Sequence, residues 1–462
     1  MVLGLAAASF SAAARPAPKA ILTVEPPVAL VDAPVAIRVA GLPPRAEVTI
    51  RASTNDVEGR PWKSEAVFRA SARGVVDLSA DRPLRGAWTG ADAMAPFWSM
   101  QPVMAPGAGS SPFPAAPPRA PIQDLLVRPS GTPFPRPVGG ALEVRLEVLT
   151  GETVLASAAA VREVTGRRVK VTEVREQGLV GRMYEPEGPR RPAVLVLGGS
   201  QGGIPVNFAP VLAGHGYVTF ALAYFRADGL PVDLVDVPVE RLERGLDWLR
   251  ARPSVDPGRV AVLGHSRGAE AALLLASLNA KVKAVVALAP SHVVWEGAVR
   301  DPAKEGLAAL KSDRSAWTRA GRPLPFVPKT VSPDLAARVA AGERFHTIEM
   351  MRLSSVDLMA VERARIPVER IRGPVLLVSS LSDRMWPAAA MADRVTEALR
   401  AARFPHRVEH LQYDGLAHAM PDAWLPMVHG GTLGGTAEGT MGAFARYWPA
   451  VLSFLDVSLG GP

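Results

Sequence analysis

"VAVLGHSRGAEAALLLAS", residues 260–277, runs an apolar stretch into a glycine, sets one serine between two glycines, and continues as an Ala- and Leu-rich stretch with helical spacing. The apolar run reads as a buried strand, the following stretch as a helix, and Ser266 falls on the turn between them. Gly264-His265-Ser266-Arg267-Gly268 therefore has the strand–turn–helix setting in which G-x-S-x-G carries chemistry. So sharp a turn forces the serine into a strained backbone conformation and lifts its hydroxyl out of the sheet. A bulky residue at either glycine would clash with the adjacent strand or the helix. The helix start adds a favourable dipole and the free N–H of Arg267 for a developing oxyanion.

The same pattern extends on both sides. "RPAVLVLGGSQGG", "YVTFALAYF", "VKAVVALAP" and "GPVLLVSS" are continuous apolar runs of the kind found in parallel sheets buried on both faces. Between them "PVERLERGLDWLRAR" puts Val239, Leu242, Leu246 and Leu249 on one helical face. Strand and helix in alternation predict an α/β domain over residues 166–462. Residues 297–368 interrupt it with charged, helix-leaning sequence, expected as a cap or lid.

Upstream the period changes to two. Val35, Ile37 and Val39, Val48 and Ile50, and Leu142, Val144, Leu146 and Val148 alternate with other residues, while Pro and Gly punctuate residues 21 to about 80. That predicts an antiparallel, immunoglobulin-like β-sandwich over residues 21–165. The Pro-, Gly-, Ala- and Ser-rich residues 101–140 within it read as loop.

With 462 residues and 48% hydrophobic content, the chain can bury a large core. Its net charge of +8 is spread rather than blocked, so no nucleic-acid arm is read. The absence of cysteine excludes disulfides, Cys-bound zinc and a cysteine nucleophile. Residues 1–20, "MVLGLAAASFSAAARPAPKA", read either as a signal peptide, despite an n-region without Lys or Arg, or as a disordered Ala-rich leader. The first reading makes the protein exported or periplasmic, the second cytoplasmic. No later run is long enough to span a membrane.

A serine hydroxyl is a weak nucleophile and needs a base that is itself held by an acid. At such an elbow the chain order is Ser, then Asp or Glu, then His. His418, in the glycine-containing loop "YDGLAHAMPD" after the strand-like "HRVEHLQY", is the expected base; His429 in "MVHGG" is its rival. His406 and His410 read as ordinary surface residues. Asp383, just past "PVLLVSS", is the expected acid, while Asp414 reads as a turn residue. The second oxyanion N–H is expected from Ser200 or Gln201 in "LVLGGSQGG", where glycines let the backbone approach a substrate. That loop lacks both G-x-G-x-x-G spacing and a P-loop lysine, which argues against phosphate binding. Glu270, Trp98 and Trp386 read as structural. Arg226 and Asp228 either contact a polar head group or belong to a solvated loop.

The sequence resembles the acyl-CoA thioesterase and bile acid-CoA:amino acid N-acyltransferase family of α/β-hydrolases. The resemblance is carried by "DAPVAIRVAGLPPRAEVTIRAS", "WTGADAMAPFWSMQP", "VLGGSQGG", "GYVTFALAYFRADGLP", "LGHSRGAE", "SSLSDRMWP" and "GGTLGGTAEGTMGAFARYWPAVLSFL". It implies an α/β-hydrolase domain preceded by a sandwich, and a Ser266–Asp383–His418 triad. The implied reaction cleaves small-molecule acyl-CoA thioesters through an acyl-enzyme, with no metal or cofactor. Members that conjugate amino acids carry Cys at the nucleophile, so Ser266 favours water as acceptor. The Pro-rich region is longer than the family pattern. Two alternatives stay open: an exported carboxylesterase acting on oxygen esters, implied by the leader, and an acyl-CoA:amino acid N-acyltransferase, implied by the resemblance.

Overall fold

The computed structural model describes residues 19–103, 134–299, 310–427 and 433–462. Most of the leader, most of the Pro-rich stretch and His429 lie outside them.

Eight strands form the larger sheet: β1 (Val169–Glu176), β2 (Leu179–Pro186), β3 (Arg191–Leu197), β4 (Val218–Ala223), β5 (Val255–His265), β6 (Ala284–Leu288), β7 (Val375–Ser380) and β8 (Val408–Tyr413). Their spatial order is β1-β2-β4-β3-β5-β6-β7-β8. β1–β2 and β2–β4 pair antiparallel, and all later neighbours pair parallel. This is an α/β-hydrolase sheet, with β5 and its serine near the middle. β4, β6 and β7 are buried along their whole length, as strands covered on both faces must be. The hairpin β1–β2 carried no clear apolar run in the sequence and opens the sheet at one edge.

Helices α1 (Ala209–Gly214), α2 (Val239–Arg250), α3 (Arg267–Leu278), α4 (Ala388–Ala401) and α5 (Ala437–Leu459) pack against the sheet. α2 buries Val239, Leu242, Leu246 and Leu249, the face its spacing predicts. α3 is Ala- and Leu-rich and buried from Arg267 to Ser277. An all-round buried helix has no polar face to keep wet. α5 starts at Thr436, whose hydroxyl accepts from Gly439 N at 2.9 Å, and stops at Gly460 in the left-handed region (φ 78°).

Two further sheets precede this one in the chain. Ile21–Glu25, Ala36–Ala40 and Val76–Asp77 form a three-stranded sheet. The second runs Val28–Leu30, Thr153–Glu163, Ala141–Thr150, Glu47–Asn55, Pro61–Arg69 and Arg85–Gly86, with Gln101–Pro102 added to Pro61–Arg69. Pairing is antiparallel apart from Val28–Leu30, which runs parallel to its neighbour. Ile37, Val39, Val48, Ile50, Leu146 and Val148 are fully or almost fully buried, so the period-two alternation does mark the inward faces. Between β6 and β7 the described residues include short strands Trp317–Arg319 and Arg322–Pro323 and helices Pro333–Ala340, Thr347–Ser354 and Leu358–Arg363. Among the described residues no helix is long and apolar enough to cross a membrane.

Candidate active site

Ser266 stands at the turn from β5 into α3 with φ 58° and ψ −122°, a conformation L-residues avoid. The surrounding packing leaves it no alternative. A Cβ at Gly264 would lie 1.9 Å from Gly268 O, and one at Gly268 would lie 2.1 Å from Leu197 O. Ser266 N donates to Leu288 O of β6 at 2.8 Å, which ties the elbow to the neighbouring strand.

His418 and Asp383 arrive from the ends of later strands. His418 Nε2 is 2.9 Å from Ser266 Oγ, and His418 Nδ1 is 2.7 Å from Asp383 Oδ2. Asp383 Oδ1 accepts from Met385 N (2.7 Å) and Trp386 N (3.1 Å), so both carboxylate oxygens are engaged. All three side chains are buried. Dry surroundings strengthen such a relay and fix its geometry. Three of the sequence-predicted residues are thus brought into one hydrogen-bonded line.

The other expected positions separate clearly. Arg267 is the first residue of α3, and a first-turn N–H has no acceptor within its own helix. Ser200 and Gln201 are the central residues of a turn closed by Gly202 N donating to Gly199 O at 3.3 Å. That turn follows β3 and comes against the elbow, since a Cβ at Gly199 would lie 3.3 Å from Ser266 Cβ. Asp414 accepts from Gly415 N and Ser382 Oγ and serves the turn. Trp386 is buried edge-on to the His418 ring, with centroids 6.0 Å apart. Arg226 donates to Gln201 O and lies over Phe225. Asp228 is solvated. His406 is half-buried against Phe404. His410 corrects the sequence expectation: it is not a surface residue. Its ring bonds Ser379 Oγ at 2.6 Å and is 12% exposed, because its side chain leans along the sheet toward β7 and α4.

Several contributors escaped the sequence. His265 donates from Nε2 to His418 O at 2.8 Å. Burial, with His418 beside it, pushes its imidazole down to about 4, so it is neutral at pH 7. A neutral ring with Nε2–H suits that carbonyl. Leu433 O accepts from both His418 N and Arg384 N, and Asp383 bridges to Gly434, so one short segment braces the surroundings of both His418 and Asp383. Gly434 adopts φ 89°, and a Cβ there would lie 1.8 Å from Ser382 O. The glycine pair in "GGTLGGT" was the available signal. Glu270 is fully buried, ion-paired to Arg267 at 2.7 Å, and accepts from Trp317 Nε1 at 2.8 Å. Burial raises its carboxyl to about 6, against the opposing pull of Arg267. It thereby links the elbow helix to Trp295 and Trp317. A cavity of about 1000 Å³ backs onto Asp383 between α4 and the helices Thr347–Ser354 and Leu358–Arg363, but neither Ser266 nor His418 lines it.

A serine held on a strained elbow, hydrogen-bonded to an imidazole that is held by a carboxylate, is the arrangement that serine acyl-transfer chemistry uses. The chain matches two family models: the acyl-CoA thioester hydrolase/BAAT N-terminal region over residues 32–118 and the BAAT/acyl-CoA thioester hydrolase C-terminal region over residues 237–459. It is 31% identical over 405 residues to acyl-coenzyme A thioesterase 6 of Mus musculus, covering 86% of this chain and 84% of that one. The chain belongs to the acyl-CoA thioester hydrolase/BAAT family. Acyl-coenzyme A thioesterase 1 of Rattus norvegicus is 26% identical over 445 residues, 93% of this chain and 94% of its own length. Bile acid-CoA:amino acid N-acyltransferase of Mus musculus is 34% identical over 299 residues, 61% of this chain and 65% of its own. The relatives thus include proteins named as thioesterases and one named as an amino acid N-acyltransferase.

Proposed function

We propose that this protein hydrolyses acyl-CoA thioesters to the free acid and CoA, with Ser266 as nucleophile, His418 as general base and acid, and Asp383 as the group that orients and stabilises the imidazolium. The observation that carries the reading is the unbroken Ser266–His418–Asp383 hydrogen-bond line at the elbow of a chain in this family. In the proposed reaction Ser266 Oγ attacks the thioester carbonyl as His418 Nε2 takes its proton. The oxyanion is held by the Arg267 N–H together with that of Ser200 or Gln201. The tetrahedral intermediate collapses, the C–S bond breaks, and His418 protonates the departing thiolate. Water enters by the reverse sequence: His418 removes its proton, the acyl–Oγ bond breaks, and Ser266 recovers its hydrogen. Serine rather than cysteine at the nucleophile supports water over an amino acid as acceptor. Residues 21–165 are read as an immunoglobulin-like sandwich and residues 297–368 as a cap on the hydrolase domain.

The test is thiol release from a panel of acyl-CoA esters beside p-nitrophenyl esters, with taurine and glycine added in parallel and conjugates followed by mass spectrometry. Acyl-CoA turnover to free acid, lost by roughly 10⁵- to 10⁶-fold in Ser266→Ala, is the expected result. Turnover of nitrophenyl esters alone would move the assignment to an oxygen-ester carboxylesterase. Conjugate formation would move it to an N-acyltransferase.

A further inference from the structure

The loop that carries His418 continues through residues 419–427, and turns, a short helix and a loop of the segment preceding the hydrolase sheet grip that continuation at several points. Trp424 N donates to Val31 O at 3.0 Å, and Trp424 Nε1 donates to Asp32 O at 2.9 Å. Met427 N donates to Trp98 O at 2.8 Å. Arg136 Nη1 lies 2.6 Å from Asp422 Oδ1 in an ion pair whose side chains are 8% and 3% exposed. Asp422 Oδ2 in turn accepts from Phe208 N at 2.6 Å, at the start of α1, and the Phe208 ring lies 6.3 Å from that of His265. His265 is the residue that donates to the His418 carbonyl. The grip therefore reaches the base both along the chain and through α1.

The gripping groups are themselves fixed. Asp32 Oδ2 accepts from His215 Nε2 (2.6 Å) and Trp448 Nε1 (2.7 Å), and Arg162 Nη2 donates to the carbonyls of Val31 and Ala33. Asp92 Oδ1 accepts from Met94 N at 2.7 Å and Asp92 Oδ2 from Trp98 Nε1 at 2.8 Å. The Gly-x-Asp-x-Met…Trp-Ser-Met segment thereby presents the Trp98 carbonyl to Met427. A free loop of ten residues would sample many conformations, and fixing each residue costs about 1–2 kcal/mol of conformational entropy. These contacts absorb that cost before substrate arrives.

We propose that the N-terminal module is a positioning element of the active site: through Val31, Asp32, Trp98 and Arg136 it fixes residues 422–427 and so holds His418 at Ser266. The inference rests on the proposed role of His418 as the base. Arg136 and Asp422 are positioning residues, remote from the reacting atoms. Loosening the loop lowers kcat, because a base misplaced by about 1 Å costs on the order of 10²-fold, while substrate binding is left nearly unchanged.

The experiment uses the full chain. Arg136→Met, Asp422→Asn and Arg136→Lys are compared with wild type and with Asp56→Asn. Asp56 is a buried carboxylate of the same module whose hydrogen-bond partners, Glu58 N, Arg60 and Trp62 Nε1, all lie within residues 58–62. Read out are kcat and KM for an acyl-CoA, the rate of Ser266 modification by a fluorophosphonate, and the melting temperature. Expected are a 10- to 100-fold loss of kcat in Arg136→Met and Asp422→Asn, KM within about threefold, and a parallel slowing of fluorophosphonate reaction. Arg136→Lys recovers most of the rate, since only one nitrogen of Arg136 reaches Asp422. Asp56→Asn lowers the melting temperature but leaves kcat intact. Asp422→Asn is isosteric and reads the outcome even where Arg136→Met does not fold. Folded variants with kcat within twofold of wild type, or losses no larger than in Asp56→Asn, overturn the inference. Acyl-CoA turnover that survives Ser266→Ala overturns instead the reading on which it rests.

Discussion

Gly268→Ala tests whether the elbow and the loop after β3 share one close contact. A Cβ at this position lies 2.1 Å from Leu197 O and 2.5 Å from Gly198 O. Both are backbone atoms, so no flexible side chain can yield. Opening the nearer contact from 2.1 Å to the 3.0 Å that Cβ atoms normally keep requires a relative shift of almost 1 Å between the start of α3 and the end of β3. Leu197 and Gly198 lead directly into Ser200 and Gln201, so the shift falls between the proposed nucleophile Ser266 and its proposed oxyanion donors. Overpacking of this kind costs about 1–3 kcal/mol, and misplacement by about 1 Å costs on the order of 10²-fold in rate. The variant should therefore melt several degrees lower and release thiol about 100-fold more slowly at saturating acyl-CoA. Gly442→Ala is the matched control. Gly442 lies in α5, is exposed, and has no atom within 4 Å of an added Cβ. That change removes a helix-interior glycine, so it should stabilise by about 0.5–1 kcal/mol and leave kcat unchanged. A Gly268→Ala enzyme with wild-type kcat and melting temperature would refute the claim that this glycine permits the approach of β3 to the elbow.

Three further outcomes follow from the site. Asp383→Asn keeps the shape but lets Nδ1 lose its carboxylate partner; kcat should fall by about 10⁴-fold in steady-state assays with circular dichroism unchanged. His265 sits near pKa 4 in the folded protein against an ordinary 6.5, so its contribution to stability is present above pH 6.5 and is lost as pH falls toward 4. That loss amounts to about 3 kcal/mol, and urea titrations of His265→Gln, which keeps a donor for His418 O, should show a correspondingly shallower acid decline. Glu270 is shifted the other way, to about 6 from 4.5, so the folded state binds its proton more tightly and this stabilising contribution disappears as pH rises from 4.5 through 6. The stability difference between wild type and Glu270→Gln should therefore change by about 2 kcal/mol across that window and stay flat above it; a pH-independent difference would contradict the assignment.

What could be read in the sequence was whatever leaves a local mark. Continuous apolar runs gave β3 to β7 because strands buried on both faces have no polar alternation to hide them, whereas β8 (VEHLQY), only partly buried, and the β1–β2 hairpin, whose first strand is exposed over most of its length, left no such run. Gly264 and Gly268 signalled the elbow because backbone crowding there forbids any other side chain. Asp383 and His418 were reachable by reasoning from strand ends, since the loops after a parallel strand project to the same edge as Ser266. Contacts that close across hundreds of residues leave no such mark. His410 reads as an ordinary surface residue until β7 brings Ser379 to its ring. Glu270 reads as a first-turn acid until Trp295 and Trp317 fold over it from a segment whose pattern is irregular. Arg136 lies within the Pro-rich stretch and nothing in its surroundings predicts Asp422 as its partner, 286 residues away. The same distinction separates the chemistry from its support. The three residues of the proposed relay sit in motifs, while the groups that hold them in line are scattered through both halves of the chain and become visible only when Val31, Asp32, Trp98 and Arg136 are seen to bond the loop that bears His418.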